Sequence, residues 1–401
     1  MIKNISDVKG FKCWGAHIGI KSKRRDLAII YSVVPATAAA VFTKNVVVSE
    51  NIKINRKHIK NGKLQAICVN SGNANTCTGE QGRLGAEAMV AVTAECLNID
   101  HELVLIGSTG VIGEPFPTEK VIRGIRENFK KLSSTKVAGS LTANAILTTD
   151  TFPKEGFTTF KLNGNSINLA GIAKGSGMIH PDMATMFSFI LCDVAITAPL
   201  LQEALKDVVD KTFNMITVDG DTSTNDMVVI MCNGKAGNRE ISSKNQDYEK
   251  FRSHLEKLCT HLAKLIVMDG EGATKFIEYR VQNASRYEDA QRIVRTISNS
   301  NLVKTAIFGR DPNWGRIIAA AGRAGIEFNS DKIDLYIGTN NNIQILKNGQ
   351  PVEWSKTALR NKMRSSSLKI ILDLNQGDAA AVGWGCDFSY DYVRINAEYT
   401  T

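Results

Sequence analysis

The sequence predicts a mixed protein of the α/β or α+β class, and three observations carry that prediction. Short β-branched runs of strand length fill the first half of the chain, and amphipathic segments at helical spacing alternate with them. Strand patterns then return near the C-terminus, joined by Asn-Gly turn signals. The 401 residues suffice for a large core in two or three lobes. No Pro-, Gly- or Ser-rich linker separates such lobes, so they are expected to share a packed interface.

In chain order, LAIIYSVV, AVFT, NVVVS, LQAICVN and LVLIGS have the length and composition of strands. GRLGAEAMVAVTAECLNI (82–99) and EKVIRGIRENFKKL (119–132) read as amphipathic helices, and APLLQEALKDVVDKTFNMI opens the second half as another. In YEKFRSHLEKLCTHLAKLIV (248–267), Leu255, Leu258, Leu262 and Leu265 or Ile266 fall on one helical face. DAQRIVRTISNSNLV and GRIIAAAGRAG read as further helices, and KIDLYIG, NIQILKNG, SLKIILDL and DYVRINAEY as closing strands. The turn signals NGK, LNGNS and KNGQ fit hairpins.

Composition excludes several function classes. With 43% hydrophobic and 22% charged residues, the chain has the make-up of an ordinary soluble globular protein. The 49 Lys+Arg against 40 Asp+Glu give +9, which raises the question of a polyanionic partner. Basic residues cluster only briefly, however, in KSKRRD (21–26) and KNGK (60–63), and aromatics are not interleaved with them as nucleic-acid stacking platforms. The 8 Cys show no CxxC pairing, and several sit in apolar runs, which fits buried free thiols in a reducing compartment. LAIIYSVVPATAAAVF (27–42) resembles a signal-peptide core but starts too far in and contains Pro35. No apolar run reaches the roughly 18 residues of a membrane span, so a cytoplasmic location is expected.

Most catalytic patterns fail on spacing. VDGDTSTND (218–226) hints at a calcium loop through Asp219 and Asp221, but Thr224 stands where Gly is needed and Ile230 where the bidentate Glu is needed. A polar turn is the better reading. His254 and His261 share a helical face, yet seven residues at about 1.5 Å rise put them about 10 Å apart, too far to share a metal. No metal site is expected. No GxxxxGK[ST], strand-linked GxGxxG or GxSxG occurs, and only His180 lies in a loop dense with polar groups. What remains are Gly-rich polar turns, VNSGNANTCTG (69–79), GSTGVIGE (107–114), TTDTFPK (148–154) and AKGSGM (173–178), each of which alone is ordinarily just a turn. GSTGVIGE follows the apolar run LVLI, so Thr109 and Gly110 are expected at a strand end with backbone N–H groups free to meet an oxyanion. Within AKGSGMIHPDMATMFSFILCD, loop chemistry changes to an apolar run at Ala184-Thr185, and Thr185 taken alone reads as a structural threonine at a strand start.

Taken together, these motifs resemble the glutamate N-acetyltransferase / ornithine acetyltransferase enzymes of cyclic arginine biosynthesis. The resemblance spans the chain through GFKCWGAHIGIKSKRRDLAII, PATAAAVFT, VNSGNANTCTG, GSTGVIGE, TTDTFPK, AKGSGMIHPDMATM, FNMITVDGDTSTND, DGEGATKF, LVKTAIFGRDPNWGRI and NAEYTT. It implies a layered α/β sandwich of the type shared with self-processing aminopeptidases. It also implies self-cleavage between Ala184 and Thr185, leaving an alpha fragment, 1–184, and a beta fragment, 185–401, packed in one structure. A small residue at 184 leaves its carbonyl open to Thr185 Oγ, and the freed α-amine, with a pKa of about 7.7 to 8.0, can take the hydroxyl proton.

The resemblance further implies Thr109 and Gly110 as oxyanion donors, and Thr148, Lys174, Thr185, Glu271, Asn396 and Thr401 as substrate contacts. Lys174 suits a substrate carboxylate and Glu271 a substrate ammonium. The implied reaction moves acetyl from N2-acetylornithine to glutamate through acetyl-Thr185, with no cofactor, and leaves acetyl-CoA open as a second donor. The implied assembly is a heterotetramer of two alpha and two beta fragments. Asp182 stands where Asn is the more familiar residue, and Arg310 where a small or polar one is, which bears on substrate preference rather than reaction class. Two other readings stay open, a self-processed aminopeptidase or amidohydrolase of the same fold and an uncut, non-catalytic binding protein.

Overall fold

The computed structural model describes residues 3–180 and 186–398. Its strands are β1 (Phe11–Ala16), β2 (Leu27–Phe42), β3 (Lys63–Asn73), β4 (Val104–Val111), β5 (Lys154–Leu162), β6 (Asn165–Lys174), β7 (Phe187–Cys192), β8 (Ile216–Thr217) and β9 (Met227–Cys232). They continue with β10 (Phe276–Ala284), β11 (Asp334–Gly338), β12 (Asn342–Lys347), β13 (Gln350–Pro351), β14 (Ser367–Asp373) and β15 (Ala379–Cys386). The larger sheet has the order β4-β3-β2-β9-β7-β6-β5, with β1 added beside β2, and the smaller the order β13-β12-β11-β14-β10-β15-β8. The class is α/β, as the sequence predicts.

The centre of the larger sheet is dictated by composition. β7 (FSFILC) and β9 (MVVIMC) are buried along their whole length and pair parallel to each other. Continuous apolar runs of this kind belong where both faces of a sheet are covered. The strands before position 180 flank them, β2 beside β9 and β6 beside β7, so the two halves of the chain are interleaved within one sheet. The hairpin signals are realised where Asn163-Gly164 joins β5 to β6 and Asn348-Gly349 joins β12 to β13, all four with positive φ.

Helices cover the sheets in layers. The helices α1 (Glu50–His58), α2 (Gly79–Leu97), α3 (Thr118–Asn128) and α4 (Lys136–Ala145) lie against the β1–β4 side. The helices α5 (Ala198–Lys211), α6 (Gln246–Met268) and α7 (Tyr287–Ser298) belong to the second half. α6 packs on β5 and β6 of the larger sheet and on β15 of the smaller one, joining both into a single core. Its buried stripe is Leu255, Leu258, Leu262 and Ile266, which decides between Leu265 and Ile266.

Several expectations are corrected. LAIIYSVV and AVFT are one strand, β2, in which the pairing with β3 shifts register between Tyr31 and Ala36. Pro35, exposed and without an N–H, sits inside that irregularity rather than ending the strand. NVVVS is not a strand; Val46 is 96% exposed there, and Asn45 Oδ1 accepts the Val47 N–H at 2.9 Å in a local turn. DYVRINAEY is the helix Tyr390–Glu398, started by Ser389 Oγ, which accepts the Asp391 and Tyr392 N–H groups at 3.2 and 3.4 Å. DAQRIVRTISNSNLV divides into α7 and a second helix, Asn301–Phe308.

Candidate active site

The segments KSKRRD, TTDTFPK, AKGSGM and DGEGATKF and the terminal helix converge on one cleft of about 770 Å³, whose walls include Lys21, Thr148, Ser176, Glu271, Arg394 and Glu398. A second cavity, of about 20 Å³ and lined mostly by apolar groups such as Ile307 and Trp314, has room for about one water and none of the site residues.

Lys174 ends β6 and is 1% exposed. Among the described residues its Nζ finds one hydrogen-bond acceptor, Thr148 Oγ1 at 3.5 Å, and lies 5.5 Å from the centre of the Phe187 ring. An ammonium carries three donors. Burial pulls its pKa down, against the attraction of Asp150 and Asp226. A buried cation with donors to spare is suited to a carboxylate supplied from outside.

Glu271 stands across the cleft on the turn after α6, and its N–H donates to Ser176 O at 2.9 Å. Its carboxylate occupies the space over Gly177, where a Cβ would come within 2.4 Å of Oε2. Asn396, on the terminal helix, donates from Nδ2 to Glu271 Oε2 at 2.9 Å. Asn396 and Glu271 are thus brought together although 125 positions apart.

Thr109 and Gly110 end β4 beside Ser71 and Gly72 of β3. Thr109 is 3% exposed. Gly110 has φ +137°, and a Cβ there would lie 2.3 Å from the Gly72 carbonyl carbon, so only glycine fits this strand end. Ser108 is held in place by Asn51, whose Nδ2 donates to its Oγ at 2.9 Å. Neither Thr109 nor Gly110 lines the cleft.

What links the strand end to Met186 is a pair of residues read from sequence only as a polar turn. With its amide oriented to satisfy both ends, Asn225 donates to Ala74 O at 2.8 Å and to Ser108 O at 3.1 Å. Its neighbour Asp226 accepts the Met186 N–H on Oδ1 at 2.8 Å, and Met227 N–H donates to Met186 O at 3.2 Å. Met186 directly follows Thr185, so Asp226 holds the far side of the very peptide that Thr185 begins. Burial raises the Asp226 carboxyl well above the usual carboxylate range, against the pull of Lys174. Asp226 and Asn225 are candidates that motif reading missed; their signal was two polar residues placed directly before an all-apolar strand.

Ala184, Thr185 and Thr401 lie outside the described residues, as does Asp182. Arg310 sits in the turn after the helix Asn301–Phe308, with φ 54°. The basic run KSKRRD turns inward to the site: Lys21 Nζ donates to Leu147 O at 2.8 Å, and Arg24 to Thr148 O and Asp150 O at 3.2 and 3.0 Å. His254 stacks on Phe160 at 4.4 Å between ring centres, as a half-buried structural side chain. Among the described residues no cluster of His, Cys, Asp and Glu could hold a metal ion, and no helix is long and apolar enough to cross a membrane. All eight cysteines are free.

A family model, the ArgJ family, matches residues 12–401. A curated protein of Caldanaerobacter subterraneus subsp. tengcongensis named arginine biosynthesis bifunctional protein ArgJ is 46% identical over 98% of this chain and 97% of its own. One of the same name from Staphylococcus epidermidis is 48% identical over 99% of this chain and 98% of its own. A solved chain of the arginine biosynthesis bifunctional protein from Bacillus halodurans is 45% identical, with a TM-score of 0.50; the match covers 52% of this chain and 96% of that one.

Proposed function

The chain belongs to the ArgJ family, and on that premise we propose that it is an acetyltransferase that moves the acetyl group of N2-acetylornithine to L-glutamate, with Thr185 as the acyl carrier. The observation that carries the reading is the nearness of opposite charges to one cleft: Glu271, in its wall and bonded to Asn396, and the buried Lys174 ammonium, which lies outside the lining but bonds Thr148 within it. Ornithine, acetylornithine and glutamate all present a carboxylate, and ornithine also presents an ammonium, so one pocket can hold donor and acceptor in turn.

Self-cleavage comes first. Thr185 Oγ attacks the Ala184 carbonyl and the C–N bond breaks, so the peptide becomes an ester and the Thr185 α-amine is freed; water then hydrolyses the ester to the Ala184 carboxylate and the Thr185 hydroxyl. The half-length match to the Bacillus halodurans chain supports this step, because a cut at Ala184-Thr185 leaves pieces of 184 and 217 residues. In transfer, the α-amine takes the proton as Thr185 Oγ attacks the acetyl carbonyl, then delivers it to the departing ornithine amine. The glutamate amine attacks the acetyl ester and restores Thr185. Thr109 Oγ and the Gly110 N–H stabilise the oxyanion of both tetrahedral intermediates. Acetyl-CoA serves as a second donor to Thr185, no cofactor takes part, and the fragments assemble as a heterotetramer in the cytoplasm.

The test is intact-mass analysis of purified protein given acetylornithine alone. One acetyl is expected on the 217-residue fragment, mapped to Thr185, with a stoichiometric burst of ornithine. Added glutamate should discharge it as N-acetylglutamate. Acetate release indifferent to glutamate would assign the protein to the hydrolases of this fold, and an uncut, fully active chain would refute the mechanism.

A further inference from the structure

The most heavily engaged ionic group near the cleft belongs to none of the residues assigned a role above. Lys154, the first residue of β5, is fully buried and ion-paired with both Asp150 and Asp269. Each carboxylate also accepts from backbone N–H groups, and Asp269 from a side-chain hydroxyl as well. Asp150 Oδ1 accepts the Gly175 N–H at 2.7 Å and Oδ2 the Thr148 N–H at 2.9 Å. Asp269 Oδ2 accepts the Thr151 N–H at 2.9 Å, and Thr151 Oγ1 donates to Oδ1. Asp269 O in turn accepts Ser176 Oγ at 2.6 Å, and Ser176 O accepts the Glu271 N–H at 2.9 Å.

We propose that Asp150, Lys154 and Asp269 form a positioning triad that sets the mutual placement of Thr148, Lys174 and Glu271. Thr148 is held by its own N–H, Lys174 through the N–H of the next residue, and Glu271 through the Asp269–Ser176 relay. The segments come from distant parts of the sequence, with 115 positions between Lys154 and Asp269, so no local turn could fix their spacing. One buried ammonium between two carboxylates does so because each carboxylate has the acceptors to bind both the ammonium and backbone donors. Asp150 and Lys154 lie outside the cleft lining, and Asp269, which borders the cleft, commits its carboxylate to Lys154 and Thr151. The triad acts on affinity by holding the carboxylate and ammonium receptors at a fixed distance.

This rests on the reading of Thr148, Lys174 and Glu271 as substrate contacts, and the test separates the two. Asp150→Asn keeps the size of the side chain and leaves Lys154 paired with Asp269. Its single carbonyl oxygen cannot serve Lys154, Gly175 and Thr148 together, and its NH2 faces donors. In cleaved, folded enzyme, kcat/KM for acetylornithine and glutamate should fall about 10- to 100-fold, mostly through KM. Asp269→Asn should behave alike, and Thr151→Val, which removes only the hydroxyl donor, should shift KM by about threefold. Lys174→Met is assayed alongside. If Lys174→Met raises KM while both Asn variants keep wild-type KM and merely melt earlier, the triad is only structural and the proposal is wrong. If Lys174→Met also leaves KM unchanged, the site reading fails and the triad proposal with it.

Discussion

Replacing Lys174 with methionine separates a binding role from a structural one, because the two predict opposite effects on stability. The side chain is 1% exposed and commits one donor, at 3.5 Å, to Thr148. If its other donors receive a substrate carboxylate, the variant loses hydrogen bonds to a charged group worth about 1.5 to 3 kcal/mol. At about 1.4 kcal/mol per factor of ten, KM should rise about 10- to 150-fold for acetylornithine and glutamate alike, since both carry the carboxylate. Stability should not fall. Burial lowers the Lys174 pKa, which means that the folded site disfavours the charged form, and an apolar side chain of similar length relieves that. The unfolded chain keeps the Lys174 proton up to about pH 10.4, whereas the folded protein releases it earlier, so in that window wild-type stability rises with pH and substrate affinity falls. Methionine should abolish both slopes. Steady-state transfer assays across pH, with calorimetry on the same samples, make the comparison. A cleaved variant with KM within twofold of wild type, melting several degrees lower, would refute the reasoning.

Thr109→Ala should lower kcat by about 10² to 10³ with little change in KM, as loss of one oxyanion donor does; wild-type kcat in cleaved protein would remove Thr109 from the mechanism. Gly177→Ala should fold normally, because the group it displaces is the movable end of Glu271, yet raise KM for ornithine in the reverse reaction, which initial rates would detect. Burial pushes the Asp150 carboxyl up, but Lys154 and Lys174 outweigh it and hold the pKa below its ordinary 3.8. Its contribution to stability is therefore complete above about pH 4 and lost as pH falls through the lowered folded value. Urea midpoints between pH 2 and 6 should show an acid limb that Asp150→Asn flattens.

The fold was legible wherever local pattern and final environment agree. β7 and β9 announce themselves as apolar runs, and α6 as a leucine stripe, because burial selects both. NVVVS misleads because β-branched composition does not supply a pairing partner, and DYVRINAEY because the Ser389 cap and the Asp391–Arg394 pair outweigh strand propensity in a segment with no buried residue. α4 (KVAGSLTANA) escaped notice since small residues leave little apolar periodicity to see. At the site, the motifs marked Thr109, Thr148, Lys174 and Glu271, but spacing holds no information about pairs such as Lys154 with Asp269 or Asn396 with Glu271. Those pairs exist only after the chain has folded, and a lone buried lysine is not distinguishable by sequence from a solvated one.

β6 and β7 are paired from Leu169–Cys192 to Lys174–Phe187, and the proposed cut lies between them in sequence. Severing the chain there leaves the residues of both strands whole, yet it changes the molecularity of folding. An uncut chain unfolds to one species, whereas a cut one must release two polypeptides, one of which places β9 and β7 between β2 and β6 of the other. The stability of the mature protein then depends more steeply on its concentration, so dilution lowers the melting temperature of the cut form more than that of the uncut one. Unfolding also becomes hard to undo, because each freed half exposes strand edges whose partners are on the other piece, β2 and β6 on one and β9 and β7 on the other.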